Sequence, residues 1–141
     1  MDPRHRAREC ALQMLYQWEV GRLSMAEVQE TFWSTAGDSV PPAAPAARDL
    51  AARLADGVAA GVDRLDPIIV EAAEHWRLER MNVVDRLILR LATYEMLHEP
   101  DTPAKVVINE ALELARAFSG DDAVRFINGV LDAIRRTLQR A

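Results

Sequence analysis

Apolar residues recur along most of the chain at intervals of three and four, the spacing that lines one face of an α-helix. Ala7, Ala11, Leu12, Leu15 and Tyr16 set this pattern over about 4–19. Asp2 and Pro3 offer a cap and a first-turn proline before it, and Gly21 a stop after it. A second helix is predicted over about 24–35, with Ser24 and Glu27 spaced as a capping box and Met25, Val28 and Phe32 as its apolar stripe. Residues 36–46 hold Pro41, Pro42 and Pro45, which cannot continue a helix. They predict a loop, read as a rigid spacer rather than a signalling motif. Two helices follow, about 47–62 with Leu50, Leu54, Val58 and Val62, and about 64–75 with Leu65, Ile68 and Ile69. Asp63 is placed to cap the second of these and Pro67 falls in its first turn.

The strongest pattern lies at about 83–98. Val84, Leu87, Ile88, Leu91 and Tyr94 form one stripe, widened by Val83, Leu89 and Met96, so this helix belongs at the centre of the fold. Thr102 and Pro103 predict the start of a sixth helix, about 103–117. Gly120 separates it from a seventh, about 122–138, carrying Phe126, Ile127, Val130, Leu131 and Ile134. Gly129 inside that last pattern points either to a close helix crossing or to a tolerated surface position. The fold class is all-α, about seven helices in one domain of two packed subdomains, approximately 1–75 and 76–141.

Composition supports helices. Of 141 residues 50% are hydrophobic but only 6% aromatic, and 23 are alanine, which favours closely packed helices over a β-sandwich. A single cysteine, Cys10, excludes an internal disulfide and a cysteine-built zinc site; it reads as a packed core residue of a chain in a reducing cytoplasm. No apolar run reaches 18 residues and no export signal is apparent, so no membrane role is expected.

Catalytic signatures are absent. There is no G-x-G-x-x-G or Walker loop, and His5, His75 and His98 stand far apart without a ligand pattern, so neither a cofactor nor a metal is expected. Asp121 and Asp122 read as helix-start groups, and Glu110 and Glu113 share a helix surface without forming an acid–base pair. The chain is not expected to be an enzyme.

Charge is more informative. The net charge is −5, which excludes a generic polycation, yet Arg4, His5, Arg6 and Arg8 crowd one end of the first helix. Cations at a helix start oppose its dipole. Two readings stay open: a solvated cluster, or arginines held for an anionic partner such as single-stranded RNA, whose phosphates and splayed bases suit guanidinium groups. The bias of sixteen arginines to one lysine, Lys105, has a compositional reading as well.

Four ordered motifs then carry a resemblance. Residues 6–18, Arg-Ala-Arg-Glu-Cys-Ala-Leu-Gln-Met-Leu-Tyr-Gln-Trp, resemble the opening helix of the NusB family of bacterial transcription antitermination proteins. Residues 84–95, Val-Asp-Arg-Leu-Ile-Leu-Arg-Leu-Ala-Thr-Tyr-Glu, resemble its central helix. Residues 103–111 and 126–132, Pro-Ala-Lys-Val-Val-Ile-Asn-Glu-Ala and Phe-Ile-Asn-Gly-Val-Leu-Asp, resemble its closing motifs. The resemblance implies a factor that binds boxA-type single-stranded RNA with the ribosomal protein NusE. Such a factor joins NusA, NusG and RNA polymerase to suppress premature termination of ribosomal RNA transcription. It implies RNA contacts from Arg4, His5, Arg6, Arg8 and Tyr16, and a second RNA surface from Asp122, Arg125 and Phe126. It also implies a NusE surface from Trp76, Leu78, Glu79, Arg80, Met81 and Arg86. Tyr16 and Phe126 have a competing reading as core aromatics, Trp76 as a joint between subdomains, and Leu78 and Met81 as internal packing. Two alternatives stand beside this function: a protein-only scaffold, since some relatives form homodimers, and a domain like those attached to certain RNA methyltransferases.

Overall fold

The computed structural model describes residues 3–35, 45–74 and 77–138, and these are helical or in short turns throughout. Six α-helices follow in order: α1 (Pro3–Gly21), α2 (Met25–Thr35), α3 (Pro45–Ala72), α4 (Val83–His98), α5 (Ala104–Phe118) and α6 (Asp121–Thr137). A short 3-10 turn, Leu78–Arg80, precedes α4. The proposed Asp2 cap, residues 36–44 of the expected loop, His75 and Trp76 lie outside the described residues. Pro45 and Ala46, assigned to that loop from sequence, are the first residues of α3.

The chain divides into two compact units, Met1–Ala60 and Gly61–Ala141. The division falls inside α3, earlier than the approximate boundary after residue 75. In the first unit α1 packs on α2. Ala7, Cys10, Ala11, Met14 and Leu15 of α1 are buried, as are Val28 and Phe32 of α2 and Ala51, Leu54 and Val58 of α3. Fully buried alanines let helix backbones approach closely, the arrangement the composition anticipates. The capping box forms as the spacing predicts: Glu27 N–H donates to Ser24 Oγ at 3.2 Å and Ser24 N–H to Glu27 Oε1 at 3.3 Å. Gln29 donates from Nε2 to Asp56 Oδ1 at 2.8 Å, tying α2 to α3.

In the second unit α4, α5 and α6 pack against one another. Leu87, Ile88, Leu89 and Leu91 are essentially inaccessible, so α4 is the central helix that its broad apolar stripe predicts. Ile127, Leu131 and Ile134 of α6 and Val107, Ala111 and Leu114 of α5 complete this core. Arg90 binds Asp66 in a fork, Nε to Oδ1 and Nη2 to Oδ2, both at 2.8 Å, fastening the end of α3 to α4.

Three local expectations are corrected, and the two readings of Gly129 are resolved. The two helices predicted at 47–62 and 64–75 are one, and it runs through Pro67. Pro67 and Asp63 are both exposed, one turn apart, so the helical hydrogen bond that Pro67 cannot donate is lost on the outer face of α3 rather than in its buried stripe. Asp63 therefore caps nothing. Thr102 does not cap α5: the N-cap is Pro103, with no side-chain cap bond. Gly129 is exposed, and a Cβ there would meet nothing within 4 Å, so no close crossing requires it. Glycine is required instead at Gly120, the N-cap of α6, whose φ of 135° an L side chain rarely adopts.

Candidate nucleic-acid interface

The start of α1 carries the basic cluster, and neither its first turn nor that of α3 holds an acidic residue. Arg4 is exposed. His5 Nε2 and Arg6 Nη1 both reach the carboxylate of Glu9, each at 3.1 Å, so one acid steadies two of the predicted contacts and offsets part of their charge. Arg8 differs from both. It is only 2% exposed and belongs to the interior of the fold, which removes it from the surface expected to meet RNA. A step of two residues turns a helix by about 200°, so Arg6 and Arg8 point to opposite sides.

Tyr16 is 45% exposed, which decides against a core role. Gln13, Gln17 and Val20 are exposed around it. Further inside α1, burial pushes the Cys10 thiol above its ordinary range, so it stays protonated and packs as the sequence suggests.

The second candidate region lies wholly in the 61–141 unit. Arg80, Met81, Asn82, Asp85, Asp122, Ala123 and Phe126 line a cleft of about 260 Å³. Asn82 begins α4 there, its side chain accepting from Val84 N–H at 2.8 Å. Ser119 donates its hydroxyl to the Asp85 carboxylate, holding the end of α5 to the start of α4. Phe126 is half-buried in the cleft. Asp121 and Asp122 occupy the first turn of α6 rather than its cap, where their charge matches the dipole. Asp122 pairs with Arg125 at 2.9 Å, with side chains 99% and 81% exposed.

This geometry redraws the expected division of surfaces. Arg80 and Met81, expected to face a protein, share one cleft with Asp122 and Phe126, expected to face RNA. Leu78 is buried, and Arg86 donates from Nη1 to the Leu78 carbonyl at 3.2 Å, so both hold the turn before α4 in place. Glu79 is exposed and available to a partner. Phe118, the last residue of α5, is an exposed aromatic at 42% that sequence reasoning did not single out. Among the described residues no group of three or more His, Cys, Asp or Glu could hold a metal ion. No described helix is long and apolar enough to cross a membrane.

These features define an all-helical protein of two units, with a basic, aromatic-bearing first helix and a mixed-charge cleft at the start of its last. Residues 5–136 match the family model described as "NusB family". The chain is 45% identical over 135 residues to the transcription antitermination protein NusB of Koribacter versatilis, covering 96% of this chain and 90% of that one. The chain belongs to the NusB family. A solved structure of T. maritima NusB superimposes with a TM-score of 0.85 at 34% identity, covering 96% and 92% of the two chains. The fold also matches a chain crystallised as antitermination factors NusB and NusE in complex with dsRNA, with a TM-score of 0.85, coverage of 97% and 98%, and 24% identity, a likeness of fold. The relatives are named as transcription antitermination proteins rather than enzymes, in agreement with the expectation from sequence.

Proposed function

We propose that this protein is a cytoplasmic antitermination factor that binds boxA-type single-stranded RNA in ribosomal transcripts together with NusE. In this role it joins NusA, NusG and RNA polymerase and suppresses premature termination. The observation that carries the reading is the basic start of α1: Arg4 is exposed and Arg6 partly exposed, the first turn holds no acid, and Tyr16 is exposed further along the helix. Guanidinium groups supply phosphate contacts and an exposed tyrosine a stacking surface, about 15 Å along the helix axis from Arg6. His5 contributes from the same turn. Phe126, Phe118 and Arg125 supply a second set of aromatic and cationic groups in the other unit.

The NusE surface includes Glu79 and Arg80, with Met81 in the cleft beside them and Trp76 just before. Its contacts differ in kind from the RNA contacts, so the two separate by mutation. Fluorescence anisotropy with labelled boxA RNA should show Arg6→Ala weakening binding about tenfold, with the loss shrinking as salt rises. Glu79→Arg should reduce NusE binding and the gain in RNA affinity that NusE confers, while RNA binding by the protein alone is kept. Full RNA affinity in Arg6→Ala across several salt concentrations would reject the RNA assignment. Self-association with no RNA binding, NusE being present, would favour the scaffold role.

A further inference from the structure

A groove of about 270 Å³ lies within the 61–141 unit, between the end of α3 and the end of α6. Its apolar lining comes from Ile68, Ala133 and Leu138, which are half-buried, and from Ile134, which is buried. Glu71 and Glu74 line it as well and are exposed. No arginine or lysine lines the groove. Among the described residues neither carboxylate has an ion pair or a side-chain hydrogen bond. The cations of the last turn of α6 are turned elsewhere: Arg135 and Arg136 bind Asp132 at 2.8 and 3.4 Å.

Both acids stand where a helix disfavours them. Glu71 lies in the last turn of α3, which holds no basic residue, and Glu74 follows just beyond it. A helix ends in carbonyl groups that favour a cation, so these carboxylates oppose the dipole. The backbone does not call for Glu74 either, since its φ of 56° belongs to a conformation that glycine or asparagine usually takes after a helix. Folding alone therefore accounts for neither acid.

We propose that this groove docks a basic segment of a protein partner, with an apolar side chain against Ile68 and Leu138 and arginine or lysine side chains on Glu71 and Glu74. Charge complementarity selects the occupant. The acidic rim repels RNA phosphate and acidic peptides, and the apolar lining gives nothing to a small hydrated cation. An amphipathic basic segment satisfies both parts. The site does not depend on the RNA-binding reading. Thr137, which also lines the groove, lies about 17 Å along the axis of α6 from Phe126, so the two ends of one helix can serve different partners.

The test uses the full chain and a short labelled peptide with leucine at helical spacing and arginine between. Anisotropy should show binding that weakens as salt rises and is lost when glutamate replaces arginine or serine replaces leucine. Amide shifts in NMR spectra should cluster at 68–74 and 133–138. Glu71→Gln should weaken the peptide about two- to fivefold, and Glu71→Gln with Glu74→Gln about tenfold. The same changes remove acids from a helix C-terminus, so the melting temperature should rise by about 1–3 °C. Glu30→Gln, at an exposed acid of α2, is the reference and should leave the affinity unchanged. Affinity lost while stability is gained is a result that a structural role for these acids would not give. Full peptide affinity in the double variant, or shifts outside the groove, overturns the proposal. So does spermine competing as well as the peptide, which would reduce the site to general attraction of cations. A dimer in sedimentation that the double variant breaks up would assign the groove to a second copy of this chain, and loss of boxA RNA binding in that variant would assign it to RNA; either overturns the proposal.

Discussion

The first turns of α1 and α6 treat the helix dipole in opposite ways. α6 opens on Asp121 and Asp122, anions where the dipole favours them, and Asp122 is matched by Arg125 one turn on. α1 opens on Arg4, His5 and Arg6 with no acid in its first turn, and Glu9 in the next turn pairs with His5 and Arg6. Charges that agree with local electrostatics are explained by folding alone. Charges that oppose it call for a reason outside the helix, and an anionic ligand supplies one. Burial also separates residues within α1, since Arg8 is buried whereas Arg4 is at the surface.

Arg8 gives the largest expected effect. Arg8→Ala removes a buried arginine side chain and should lower stability by about 2–4 kcal/mol, read as a fall in the denaturant midpoint. A variant as stable as the parent would return Arg8 to the surface group and erase the distinction drawn within α1. For this reason a double replacement of Arg6 and Arg8 confounds folding with binding, and Arg6 alone is the clean probe.

On the α6 side, Gly129→Ala should raise stability by about 0.8–1 kcal/mol, because the site is exposed and a Cβ meets nothing within 4 Å. A thermal melt checks this, and a loss of stability would show that the backbone there needs glycine. Smaller still is the effect of restoring dipole agreement in α1: Arg4→Glu should stabilise the fold by about 0.3–1 kcal/mol at low salt while weakening RNA binding. Gain in stability together with loss of affinity is the signature of charges kept for a ligand. Stability that falls along with affinity would show that Arg4 is structural.

Asp122→Asn is the mildest change. It breaks the exposed pair with Arg125 and frees that cation, so RNA affinity should hold or rise a few-fold, with stability changed by under about 1 kcal/mol. A marked loss of affinity in the folded variant would assign the carboxylate a hydrogen bond to RNA instead.

The helices themselves were legible in the residue pattern, because burial of one face imposes a three- and four-residue spacing that survives in sequence. α4 runs over the predicted span, and the Ser24–Glu27 capping box forms as its spacing requires. What misled was punctuation. Pro67 looked like a helix start, yet apolar residues buried on both sides of it keep α3 continuous, and Pro67 itself lies on the exposed face. Thr102 looked like a cap, yet Pro103 takes that position.

The basic cluster and the family motifs were written in the chain as residue types at fixed spacings, whereas Tyr16 and Phe126 became candidates only through the resemblance those motifs carry. Which of those residues face outward was decided by tertiary packing. Three arginines within five positions look equivalent in sequence, but Arg6 lies about 200° round the helix from the other two, and packing buries Arg8 while leaving Arg4, one turn earlier on the same side, exposed. Tertiary packing likewise gathered Arg80, Met81, Asp122 and Phe126 into one cleft, and Glu71 and Leu138 into another. Residues forty or more positions apart share a surface only after the helices between them have packed, and no local pattern encodes that proximity.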